Sequence, residues 1–183
     1  VVTGLGAITP LGCDVPSFWK GILEARSAAD TITLFDHSEF KVHFACEVRD
    51  FDPDAYFSKK EQRRLDRFCQ FAIAAAKQAI EESRIKESSC NLARAGCVFA
   101  SGIGGLKEIE DVHRELVLRG PRAVSPYLVP KMMVNAASGE IAIRFGLKGL
   151  NFAVTSACAS GTHAIIVAYH LIRAGLAEVI VAG

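Results

Sequence analysis

The stretch of this 183-residue chain best suited to chemistry is Thr155-Ser156-Ala157-Cys158-Ala159-Ser160-Gly161-Thr162-His163. The preceding Asn151–Ser156 reads as a strand and Ala159–Ala174 as a helix, so Cys158 sits in a sharp turn at or beside the first helical residue. Free amide groups at a helix N-terminus carry partial positive charge and favour the thiolate, which is the nucleophilic form. Ala157, Ala159, Ser160 and Gly161 are small and leave room for a substrate to approach. The helix behind carries no charge until Arg173 and is apolar almost all round, which predicts a buried element whose end water cannot screen. The alternative is that Cys158 is one more packed cysteine. His163 does not suit the role of its base: five residues along a helix is about 500°, so the two side chains point apart, and His163 reads as structural.

The other five cysteines, Cys13, Cys46, Cys69, Cys90 and Cys97, form no C-x-x-C pair, and their spacing is irregular. That argues against a structural metal, and several lie in apolar runs where a thiol packs as a small hydrophobe. The pattern suits a reducing compartment better than a disulfide framework. Half of the residues (50%) are hydrophobic and 21 basic side chains face 20 acidic ones, which excludes a disordered chain and a nucleic-acid binder driven by bulk charge. Gly149–Ile172 has no Asp, Glu, Lys or Arg, yet it contains too many polar residues for a membrane span.

The elements expected to position Cys158 follow from pattern and turn chemistry. Val1–Gly6 reads as a strand entering a turn, Val15–Ala25 as a helix and Lys41–Val48 as a strand. Gly4-x-Gly6 lacks the third glycine of a dinucleotide fingerprint, so its glycines are taken as turn residues. Ser58 and Glu61 form a capping box for one long helix, Ser58–Ser83, whose core stripe is Leu65, Phe68, Cys69, Ala72, Ala76 and Ile80. Lys60, Arg63, Arg64 and Arg67 share a second face, for which an ordinary solvated surface is one reading. Ala95–Ala100 reads as a buried strand running into Ser101-Gly102-Ile103-Gly104-Gly105, with a helix to Leu118. Ser125–Pro130 is expected to be extended, Lys131–Phe145 helical and Glu178–Ala182 a final strand. Alternating strands and helices predict an α/β sheet covered by helices. A buried strand ending at Gly183 reads as a piece of a larger protein trimmed at both ends.

The sequence resembles the N-terminal half of the elongating β-ketoacyl-[acyl-carrier-protein] synthases, the condensing enzymes of type II fatty acid synthesis. Five landmarks carry the resemblance in order: Val1–Gly6 with Pro10-Leu11-Gly12; Lys59–Asp66; Ser101–Leu106; Gly120-Pro121-Arg122 with Ser125-Pro126; and Ser156–Gly161. It implies a thiolase-like fold of αβαβα layers, of which residues 1–183 would be the first of two similar halves. Cys158 matches the nucleophile that takes an acyl group from acyl carrier protein, and its backbone N–H matches an oxyanion donor. Malonyl-carrier protein then loses carbon dioxide and attacks the bound acyl group.

Further implications are specific to position. Ile103 matches a residue lining the acyl pocket. Leu128 matches a position, often Phe, that reaches the pocket from a partner subunit. Lys60, Arg63, Arg64 and Arg122 match docking positions for the acidic carrier, although Ala123 stands where some relatives have a second basic residue. The family implies a homodimer pairing through Asn151–Ser156. It implies no cofactor beyond the phosphopantetheine that carries the substrates, and no metal, nucleic acid or membrane partner. A cytoplasmic location is expected, or a mitochondrial or plastid one in a eukaryote. The two active-site histidines would lie beyond Gly183, so residues 1–183 alone are expected not to condense. A polyketide ketosynthase, a thiolase relative using coenzyme A and a non-catalytic chain-length partner are the alternatives.

Overall fold

The computed structural model describes residues 1–183. The main elements are α1 (Val15–Leu23), β1 (Asp30–Thr31), β2 (Phe44–Ala45), α2 (Lys59–Arg64), α3 (Arg67–Ser83), β3 (Ala95–Val98), α4 (Leu106–Arg119), α5 (Leu128–Met132), α6 (Ala136–Phe145), β4 (Asn151–Phe152), α7 (Ser160–Arg173) and β5 (Val179–Ala182). β3 is the middle of a parallel sheet of order β4-β3-β5 and is buried at every position, as a strand covered on both faces must be. The chain steps from β3 to β4 on one side and then crosses back to β5 on the other. Right-handed crossovers therefore put α6 and α7 on opposite faces. α6 packs on β3 and β4 with α3 beside it, while α7 packs on β5 and β3. The core joins Cys69, Ile73, Ala76 and Ile80 of α3 to Ala95 and Cys97 of β3 and Ile141 of α6.

Several expectations change. Val1–Gly6 forms no strand, because no strand edge is adjacent; it runs along α3 instead, with the N–H groups of Leu5 and Ala7 donating to Glu82 and Gln78. A Cβ on Gly4 or Gly6 would collide with the carbonyls of Ala79 and Ala75, so these glycines serve close packing rather than a turn. The Lys41–Val48 strand shrinks to two residues paired antiparallel with β1.

The long helix expected over Ser58–Ser83 is two helices. The capping box forms, but Leu65 turns extended and drops into the core, and the Asp66 carboxylate caps α3 by accepting from the Phe68 N–H. Phe68 is only half-buried. The expected Lys131–Phe145 helix is likewise split into α5 and α6, and α5 begins inside the segment expected to be extended. The Asn151–Ser156 strand is only Asn151–Phe152.

α7 is not buried all round. Its small residues Ser160, Ala164 and Ala168 face the sheet, while Ile165, Ile166, Tyr169 and Ile172 are exposed. The narrow stripe of small side chains lets one side approach the sheet closely, and no element of residues 1–183 covers the other.

Candidate active site

Cys158 lies in the turn between β4 and α7, two residues before the first helical residue, and is exposed. The sharpness of the turn is carried by Ala157, which has φ +49°, a left-handed conformation that costs a non-glycine residue about 1 kcal/mol. Ser160 holds that conformation. Its buried hydroxyl accepts from the Ser156 N–H at 2.8 Å and donates to the Ala157 carbonyl at 2.6 Å. The Ala159 and Ser160 N–H groups bond back to Ser156 and Ala157, closing the turn around the cysteine. The Cys158 N–H donates to no carbonyl in the chain. His163 is exposed, and its ring makes no hydrogen bond to Cys158.

The Gly102–Gly105 turn meets the Cys158 turn directly: a Cβ at Gly102 would lie 3.5 Å from the Ala157 carbonyl oxygen. Ile103 follows Gly102 in that turn and is 63% exposed. Leu128, the first residue of α5, is half-buried and is tied to the same turn through the next residues of its helix. The Gly105 N–H donates to the Met132 carbonyl at 3.3 Å, and a Cβ on Gly104 or Gly105 would come within 2.5 Å of the carbonyl oxygens of Met132 or Lys131. Two cavities of about 410 and 400 Å³ lie around Tyr56 and Phe145 and around Leu34 and Phe71. Neither is lined by Cys158, Ile103 or Leu128.

Lys60, Arg63, Arg64 and Arg122 are all exposed, and none is in an ion pair. The guanidinium of Arg64 lies 5.3 Å over the Tyr127 ring, which joins α2 to the start of α5. Arg67 leaves this basic face. The break at Leu65 rotates it away, its guanidinium donates to the Val48 carbonyl at 2.6 Å, and it lies over Phe71. Glu61 anchors α2 by pairing with Arg144, and its bonds to Ser58, followed by that pairing, hold its carboxyl down to about 2.

All six cysteines are free. Burial pushes Cys69 and Cys97 up to about 12, with Asp66 and Glu140 adding to the effect at Cys69. Cys46, in contrast, is as accessible as Cys158. Iodoacetamide at neutral pH should therefore leave Cys69 and Cys97 unmodified and label Cys158 faster than Cys46. Peptide mass mapping over a time course reads this directly. Equal rates at Cys158 and Cys46 would mean that exposure alone, and not the helix end, governs reactivity.

Sequence reasoning missed the locking role of Ser160, whose place two residues after Cys158 and at a helix start was its only signal. It also missed the pairing of Lys131 with Glu108, which are 23 residues apart in the chain and share no local pattern.

A family model described as "Beta-ketoacyl synthase, N-terminal domain" matches residues 1–183. The chain belongs to the β-ketoacyl synthase family. The 3-oxoacyl-[acyl-carrier-protein] synthase 2 of Vibrio harveyi is 45% identical over 183 residues, and that of Synechocystis sp. 42%. In both cases all of this chain is covered, and it spans 44% of the relative.

Among solved structures, the ishigamide ketosynthase/chain length factor superposes with TM-score 0.86 at 29% identity, covering all of this chain and 46% of that one. AntDE:AntF, described as a type II polyketide acyl carrier protein in complex with its ketosynthase bound to the hexaketide, gives TM-score 0.84 at 26% identity, again over the whole of this chain and 49% of the other. These likenesses establish the thiolase-like α/β fold for residues 1–183. No helix is long and apolar enough to cross a membrane.

Proposed function

We propose that these residues are the nucleophile-bearing N-terminal half of a 3-oxoacyl-[acyl-carrier-protein] synthase that elongates fatty acyl chains. The observation that carries the reading is an exposed Cys158 held in a strained turn by Ser160, in a chain of this family. The Cys158 thiolate attacks the thioester carbonyl of an acyl chain on the carrier's phosphopantetheine. The new bond joins the acyl carbon to Cys158, the old carbon–sulfur bond breaks, and the pantetheine thiolate leaves and takes up a proton. The free N–H of Cys158 can donate to the oxyanion that forms on the way. In the second stage malonyl-carrier protein releases carbon dioxide, the resulting carbanion attacks the acyl carbon, and Cys158 departs as thiolate. Ile103 and Leu128 are assigned to the acyl pocket on the resemblance, with Ile103 supported by its place beside the nucleophile turn. The polyketide alternative rests on structural likenesses at lower identity than the 3-oxoacyl-carrier synthases.

The partners follow from the same reading. The exposed, unpaired Lys60, Arg63, Arg64 and Arg122 form a docking strip for an acidic carrier protein. A homodimer is supported by β4, a short strand at the open edge of the sheet. The location proposed is the cytoplasm, or an organelle matrix in a eukaryote.

The test is intact mass spectrometry of the complete enzyme after incubation with an acyl-carrier thioester. An acyl adduct on Cys158 supports the reading, and an adduct on another side chain or none overturns it. The combined change Arg63→Glu and Arg64→Glu should raise the apparent KM for carrier-bound acyl groups by roughly tenfold or more, because two rim charges are reversed. Free thioesters should be used as before, and an equal loss with them rejects docking.

A further inference from the structure

We infer that the Lys131–Glu108 ion pair is a positioning device that fixes the distance between Ile103 and Leu128 and so sets acyl-chain preference. The inference rests on the pocket reading given above for those two residues. The side chains of Lys131 and Glu108 are only 15% and 13% exposed, and no other ion pair of the chain is so withdrawn on both sides.

The elements that the pair joins are the ones that matter for the pocket. Glu108 lies in the first turn of α4, directly after the Gly102–Gly105 turn that presents Ile103. Lys131 lies on α5, three residues after Leu128 and on the same face of the helix. α5 has five residues and no side-chain cap, too few to hold a helix by itself, so its position is set by tertiary contacts. Those contacts are the Lys131–Glu108 pair, the close backbone approach of Gly104 and Gly105 to Lys131 and Met132, and Arg64 over Tyr127.

An ion pair is suited to this task because it has one register. Apolar side chains of similar volume fill the same space without specifying where α5 stops along α4. A third charge lies close to the pair. Asp66, which caps α3, is half-buried, and burial raises its carboxyl, with the Lys131 charge opposing the rise and Glu108 adding to it. The pair therefore also faces the junction between α2 and α3, next to the basic strip.

Removing one partner would leave an uncompensated buried charge and endanger folding. The informative variant of the complete enzyme is thus the double change Lys131→Met with Glu108→Leu, alongside the swap Lys131→Glu with Glu108→Lys and the pocket change Ile103→Phe. The readouts are thermal midpoint and kcat/KM for a series of acyl-carrier thioesters of increasing length. The apolar pair should fold with a midpoint near the parent's and keep transfer of the shortest acyl group. Its ratio of long-chain to short-chain kcat/KM should shift by about threefold or more, and the swapped pair should bring the ratio part of the way back. An unchanged ratio in the apolar pair, with Ile103→Phe shortening the accepted chains, overturns the inference and leaves the pocket reading standing. An unchanged ratio in Ile103→Phe removes the pocket reading, and the inference with it. A loss that is uniform across chain lengths also overturns it, since a purely structural role would produce that pattern.

Discussion

Replacing Cys158 with alanine in the complete enzyme is expected to lower condensation by on the order of 10⁴ or more, because no other group can form the acyl intermediate. The exposed Cys46 is no substitute: it follows β2 of the antiparallel pair, whereas the nucleophile turn follows β4 of the parallel sheet. Cys69 and Cys97 are buried and stay protonated at neutral pH, since burial holds both near 12. Cys158→Ser is the sharper control. It preserves the size of the side chain but presents a hydroxyl where a thiolate is needed, so acylation should fall almost as far while folding is unaffected. Burst-phase acylation and steady-state condensation check both variants. A Cys158→Ala enzyme that still accumulates a covalent acyl adduct would place the nucleophile elsewhere.

The second large effect is expected at Ser160. Its hydroxyl is the sole side-chain partner of the Ser156 N–H and the Ala157 carbonyl, and it lies in the interior. Ser160→Ala leaves the part-buried Ser156 N–H without its acceptor, at a cost of about 1 kcal/mol. The Ala157 carbonyl still receives the Ser160 N–H at 3.1 Å, so the damage is concentrated on one donor. For a protein of this size that corresponds to roughly 2–4 °C in Tm. The functional loss should exceed what stability explains, because the left-handed conformation of Ala157 is no longer enforced and Cys158 loses its fixed place before α7. Acylation measured well below the melting range should drop by about tenfold or more. A variant with the lowered Tm and the parent's acylation rate would show that Ser160 serves the fold alone.

Much of the scaffold could be read from residue types. The capping box at Ser58 and Glu61, the strands Ala95–Val98 and Val179–Ala182 and the helix after Cys158 all carry local signals: a capping pair, a short β-rich run and a charge-free helical stretch. What escaped was decided by tertiary partners. Leu65 falls at helical spacing, yet burial in the core and the capping strength of Asp66 stop the helix there and carry Arg67 off the basic face. Val1–Gly6 has the composition of a strand but no edge to pair with. At the site, Cys158 stood out because cysteine, turn and helix are neighbours in sequence. The lock formed by Ser160 and the Lys131–Glu108 pair did not stand out, because each is defined by a partner that only the fold brings near.

The order of the sheet also bears on when the Cys158 turn finds its support as the polypeptide is made. β3 pairs with β5 from Ala95↔Val179 to Val98↔Ala182, and at the foot of that pairing Arg94 and Glu178, 84 positions apart in the chain, meet. α7 rests chiefly on β5. On a ribosome, the layer built from α3, β3 and α6 can settle while α7 is still without its support. The local bonds of Ser160 can close the Cys158 turn early, but α7 is expected to dock against the sheet only after residue 182 has emerged from the exit tunnel.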